Sequence, residues 1–160
     1  MNNTQLRGGC LCGNVQYIIS AQPFGADHCH CSMCRKTTGA VVASWMDFKI
    51  EQVDWLTAPP KEYASSATTR RGFCPNCGAS ISFRDDNHPD YLSLTIASLD
   101  NPDAVQPTAH IYVDDKVSWL SLNDDCKYHT QGLSSPLVEE KTNSNNSTNN
   151  NANKTNADTL

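Results

Sequence analysis

The 160-residue chain is 38% apolar and 18% charged, the balance of a folded domain with its own core rather than of a disordered or membrane-embedded chain. Its formal charge of −5 argues against nucleic acid as a partner, because phosphates call for a clustered positive surface. No run approaches the ~20 apolar residues of a membrane span, and the N-terminal MNNTQLRGGC has no apolar leader core, so a cytoplasmic location is expected.

Residues 1–5 read as a flexible N-terminus and 6–137 as one folded domain. The first strand signal is Val15, Tyr17 and Ile19, which alternate with more polar neighbours just after Gly8-Gly9-Cys10-Leu11-Cys12-Gly13. Next comes His28-Cys29-His30-Cys31-Ser32-Met33-Cys34-Arg35-Lys36-Thr37, where Ser32 to Thr38 makes at most a helical turn. Ala40 to Ile50 is β-rich and reads as a longer strand. Pro59-Pro60 marks a loop. Arg70-Arg71 leads into Phe73-Cys74-Pro75-Asn76-Cys77-Gly78. Period-2 patterns follow at Ala79/Ile81/Phe83, Leu92/Leu94/Ile96 and Ala109/Ile111/Val113. The fold class is therefore all-β, built from several short antiparallel sheets with cysteines on the connecting loops. Trp45, Trp55 and Trp119 are expected as core or cleft-wall aromatics, and Asp85-Asp86 and Asp114-Asp115 as turn acids. Residues 138–160 are almost wholly polar and Asn-rich; they cannot bury enough apolar surface to offset ordering entropy and are expected as a disordered tail.

Eight cysteines could form a disulfide framework in a secreted chain. The absence of a leader and the spacings C-x-C, C-x-C-x-x-C and C-x-x-C favour metal chelation instead. Cys10 and Cys12 with Cys74 and Cys77 supply four sulfurs, a complete tetrahedral set for a structural zinc. A single iron would also accept four thiolates, but nothing in the chain points to electron transfer. Four thiolates on Zn²⁺ leave a charge of −2, which Arg70 and Arg71 could offset unless they are simply solvated.

Cys29, Cys31 and Cys34 supply only three sulfurs. Candidates for a fourth ligand are His28, His30, His110, Cys126 and water. In an extended segment His30 points away from its flanking cysteines, so His28 and His30 read as polar loop residues. His110 lines a cleft or is a half-exposed strand histidine, and Cys126 reads as a surface thiol. With no protein ligand in the fourth position the site is open, as catalytic zinc sites are, and would accept a thiol that the metal deprotonates. Arg35 and Lys36, beside the last cysteine, could steer an anionic thiol inward.

Four elements, GGCLCGNVQY, CHCSMCRKTTGA, YASS…RRGFCPNCGASISF and IASLDNP…PTAHIYV…VSW, resemble the glutathione-dependent formaldehyde-activating enzyme family, which includes centromere protein V. The resemblance spans roughly residues 6 to 120. It implies a β-tent fold with two zinc ions: a structural one on Cys10, Cys12, Cys74 and Cys77, and a second, labile one on Cys29, Cys31 and Cys34, through which those cysteines serve catalysis. The implied activity joins glutathione, or a similar small thiol, to formaldehyde or another aldehyde, giving S-(hydroxymethyl)glutathione; the reverse is a carbon–sulfur lyase reaction. His110, Tyr112 and Ser44 are the candidates for the group that protonates the adduct oxygen. The competing expectation is a non-catalytic zinc-binding module or a labile-zinc or redox sensor. Exposed sheet edges would invite pairing, so a homodimer is a further expectation.

Overall fold

The computed structural model describes residues 5–138. The expected Asn-rich tail, apart from Val138, lies outside the described residues, as do residues 1–4 of the expected N-terminal arm.

The strands, in chain order, are β1 (Leu6–Gly9), β2 (Gln16–Ile19), β3 (Gly25–Cys29), β4 (Ala43–Lys49), β5 (Val53–Trp55), β6 (Lys61–Ala64), β7 (Thr69–Phe73), β8 (Ser80–Asp85), β9 (Tyr91–Thr95), β10 (Ala109–Ile111) and β11 (Lys127–Tyr128). Among the described residues the single α-helix, α1, covers Ser32–Thr38, the turn expected from the sequence. Cys31 caps its start, and Gly39 in the left-handed conformation (φ 68°) ends it. β4 starts at Ala43, later than the β-rich run suggested, because Gly39–Val42 form the turn leaving the helix.

Two sheets result. A three-stranded sheet has the order β1-β2-β5, and an eight-stranded one the order β11-β10-β3-β4-β9-β8-β7-β6. The all-β class holds. Pairing is antiparallel except that β10 runs parallel to both β3 and β11. Parallel neighbours need a long crossover, and the chain between Cys29 and Ala109 contains six strands that supply it.

Register gives the large sheet two distinct faces. Pairing of Met46 with Leu94 and Phe48 with Leu92 puts these four side chains on one face. They bury against Tyr17 and Ile19 of the small sheet and Val15 just before it, which forms the main core. The opposite face carries Asp27 and Cys29 beside Trp45 and Ala43, and Cys29, Ala43 and Trp45 there join Cys31 and Cys34 in a second buried cluster. β9 is buried on both faces, since Ser93 and Thr95 are covered as well as Leu92 and Leu94; the period-2 pattern there marks chemistry rather than exposure. Trp45 is core and Trp55 packs edge-on to Tyr17 at 5.8 Å. Trp119, expected as a core or cleft-wall aromatic, is 70% exposed on the loop after β10.

Phe48 is fully buried at the centre of the main core. Phe48→Ala should lower stability by about 3–5 kcal/mol, read as a shift in the urea midpoint of the metal-loaded protein with an unchanged m-value.

Candidate metal centres

The first cysteine group forms where two turns meet. Cys10 and Cys12 follow β1, and Cys74 and Cys77 follow β7. Each pair ends in a glycine with positive φ, Gly13 at 75° and Gly78 at 76°. These turns close with Gly13 N–H donating to Cys10 O (3.0 Å) and Gly78 N–H donating to Cys74 O (2.9 Å). The sulfurs of Cys10 and Cys12 lie 3.6 Å apart and those of Cys12 and Cys74 3.7 Å. Zn–S bonds of about 2.3 Å in a tetrahedron place sulfurs about 3.8 Å apart, so the donor set fits zinc. Val15 N–H donates to Cys10 Sγ (3.2 Å) and Asn76 Nδ2 to Cys12 Sγ (3.1 Å). The Asn76 hydrogen bond leads in lowering the Cys12 thiol to about 6, which favours the thiolate that metal needs. All eight cysteines are free thiols.

The expected charge offset by Arg70-Arg71 lands elsewhere. Strand alternation sends the two side chains to opposite faces of β7. Arg70 pairs with Asp86 at 3.1 Å. Arg71 is buried, and its Nη1 reaches Cys34 Sγ at 3.6 Å, in the other cysteine group.

That second group closes around the end of β3. Cys29 is the last residue of β3, Cys31 caps α1, and Cys34 lies on the helix face turned inward. All three are buried, and their sulfurs lie within 4.8 Å of one another. Trp45, Ala43, Phe83 and Ile111 pack around them. Cys34 N–H donates to Cys31 Sγ (3.3 Å), and the Arg71 guanidinium sits 5.2 Å from the Phe83 ring centroid. Hydrogen bonds from Cys29 and Cys34 pull the Cys31 thiol down to about 2, and the same contacts push Cys29 up. One sulfur thus carries charge readily while a neighbour keeps its proton, which a metal would have to displace.

None of the proposed fourth protein ligands joins this group. His28, on β3, pairs its Nδ1 with Ser44 Oγ at 2.8 Å. His30 is no loop residue but fully buried: its Nε2 lies 2.8 Å from His110 Nδ1, and burial lowers it to about 4, so the ring is neutral. His110 is likewise buried rather than half-exposed, and its Nε2 donates to Asp124 Oδ2 at 2.9 Å. Cys126 is half-buried beside His110 and Asp124. Arg35 does not face an incoming thiol; its Nη1 donates to His30 O (2.5 Å) and to Asp115 O, clamping the loop after β10 onto the cysteine segment. Lys36 is exposed.

Beside the first group lies a cleft of ≈ 480 Å³. Cys10 and Leu11 form one wall, Thr38, Ala43 and Ser44 another, and the buried, unpartnered Ser80 hydroxyl lies on its lining. Cys29, Cys31 and Cys34 are not part of its lining; Ala43, the sheet partner of Cys29, is its link to that group.

Sequence reading missed Arg71 as a neighbour of Cys34 and the His30–His110–Asp124 chain. It also missed Asp27, which is buried with one carboxylate oxygen unpartnered. Alternation along Arg70-Arg71 was the available signal for the first. The others depend on β10 lying beside β3, which no local pattern announces.

A family model described as glutathione-dependent formaldehyde-activating enzyme matches residues 5–115. The chain belongs to that family of all-β proteins. A Halomonas elongata protein that carries the family's name is 26% identical over 136 residues, covering 73% of this chain and 80% of that protein. The crystal structure of a Rhodobacter sphaeroides protein superposes with a TM-score of 0.51 at 22% identity, over 63% of this chain and 96% of the other, and shares the fold.

Two outcomes follow from this geometry. A strong chelator should unfold the protein, because the first group ties β1 to β7; Cys12→Ala should do the same, whereas Cys34→Ala should lower bound zinc by one equivalent with the circular dichroism spectrum retained. The second concerns pH. Burial, aided by Asp47, raises Asp27 to about 7. The folded state then holds a proton that the unfolded chain releases between about pH 4 and 7, so this residue makes stability fall as pH rises through that window. Asp27→Asn should flatten that part of the curve, measured by urea unfolding at a series of pH values against the parent protein.

Proposed function

We propose that the protein is a zinc-dependent carbon–sulfur lyase of the glutathione-dependent formaldehyde-activating type, forming or cleaving the adduct of a small thiol, glutathione or a close relative, and an aldehyde. The observation that carries the reading is the inequality of the two cysteine groups. One offers four sulfurs; the other offers three, all buried, with no fourth protein donor among the described residues. Zinc held by Cys29, Cys31 and Cys34 would supply Lewis acidity that keeps a substrate thiol deprotonated.

The chain's own residues do the rest. In the forward direction a sulfur–carbon bond forms, the carbonyl π bond breaks, and the thiol's proton ends on the former carbonyl oxygen. That oxygen needs a hydrogen-bond donor. Of the three candidates, His110 spends both nitrogens on His30 and Asp124, and Ser44 pairs with His28. Tyr112 follows Ile111, the sheet partner of Cys29, and adopts a left-handed backbone (φ 56°), alone among described non-glycine residues. Such a conformation costs of order 1–2 kcal/mol for a residue with a side chain. Burial, together with the cysteines Cys29, Cys31 and Cys34, keeps its phenol protonated. We assign Tyr112 as the donor to the adduct oxygen. Arg71 holds positive charge against Cys34, which lowers the cost of admitting a further thiolate. The free state of every cysteine suits a reducing compartment such as the cytoplasm.

Exchange NMR of the glutathione–formaldehyde adduct tests the reading. Zinc-loaded protein should accelerate interconversion over buffer, Cys34→Ala should abolish the acceleration, and Tyr112→Phe should lower the rate on the order of 10²-fold with KM little changed. Absence of acceleration with both cysteine groups metal-loaded would remove this substrate pair.

A further inference from the structure

We infer that the protein carries a third zinc site, built from His110, Asp124 and Cys126 on the loop-bearing edge of the large sheet. The three donor atoms, an imidazole nitrogen, a carboxylate oxygen and a thiol sulfur, lie within 4.8 Å of one another. Nitrogen, oxygen and sulfur donors together suit a borderline cation such as Zn²⁺.

What distinguishes this cluster from a chance meeting of polar residues is the support behind each donor. His110 is 2% exposed, its ring flanked by those of its strand partners His28 and Tyr128 at centroid distances of 4.8 and 5.0 Å. Its Nδ1 is held by His30 Nε2 at 2.8 Å, so Nε2 alone faces Asp124. Asp124 has one oxygen on His110 while the other accepts from Tyr128 Oη (3.0 Å) and from Cys126 N–H (3.1 Å). Cys126 Sγ makes a long contact to Pro107 O (3.5 Å). Metal ligands oriented by outer partners in this way are the usual pattern of zinc sites. Opening the 2.9 Å His110–Asp124 contact by a few tenths of an ångström would seat an ion between them. This site offers one thiolate where the cysteine groups offer three and four, so it should fill last.

An ion on His110 Nε2 requires the ring proton on Nδ1, facing His30 Nε2, and Cys126 gives its proton to solvent.

Zinc titration of the full-length protein against a chromophoric competitor tests this without reference to activity. The parent should bind three equivalents; Cys126→Ala and, independently, Asp124→Asn should bind two, with unchanged circular dichroism. In the parent loaded with ¹¹³Cd, three resonances should appear, one of them well upfield of the sulfur-rich pair and lost in Cys126→Ala. Two equivalents in the parent, or a stoichiometry that neither variant changes, would overturn the third site. Because the count is independent of turnover, it separates this inference from the lyase assignment.

Discussion

The fold depends on four sulfurs drawn from two places far apart in the chain. Cys12 and Cys74 are 62 residues apart, yet their sulfurs lie 3.7 Å from each other. Closing so long a loop costs entropy that grows only slowly with length, but the strands involved are short, most of them three to five residues, and short strands hold little on their own. A metal on this group would bind only the folded arrangement, so its binding energy becomes folding energy. The tie is placed where it matters. Cys10 follows the small sheet's first strand and Cys74 follows β7 of the large sheet, so one ion held there would join the two sheets whose inner faces make the main core.

Once the sheets are joined, register decides what happens on the far side. Successive residues of β4 point to opposite faces, so burying Met46 and Phe48 against the small sheet commits Ala43 and Trp45 to the other face. The same rule sends Cys29 of β3 to that face and His28 to the core side, where it meets Ser44 and His110. Arg71 reaches Cys34 by this logic and Arg70 cannot. The second cysteine group and the histidine chain are thus two sides of one sheet, separated by the thickness of its backbone.

The cysteine partition was legible because ligand spacing is local: each pair or triplet is confined to a few residues, and glycine after each pair signals the turn. Strand existence was legible from period 2 at Val15–Ile19 and Ala79–Phe83, and α1 from a short run between two turn-forming segments. The missing information was long-range. Nothing near Arg71 in sequence mentions Cys34, and nothing near His30 mentions His110; both contacts arise from strand order. Exposure was misjudged where a pattern is amphipathic but the sheet is covered twice, as at Ser93 and Thr95, and where an aromatic sits on a loop, as at Trp119.

The two cysteine groups differ in exposure in the direction opposite to first intuition. The complete one reaches the surface, with Cys12 exposed, and the incomplete one is buried behind Trp45 and α1. This order follows from what each must exclude. Four sulfurs leave no position to contest, so contact with solvent changes nothing about the tie, and water helps screen its negative charge. Three sulfurs leave a position that water would take by mass action if it were open to bulk. Burial raises the cost of charge there, and the chain answers with a guanidinium placed on Cys34 rather than with a fourth ligand. A fourth protein ligand would close the group; Arg71 instead offsets charge on a set of three sulfurs.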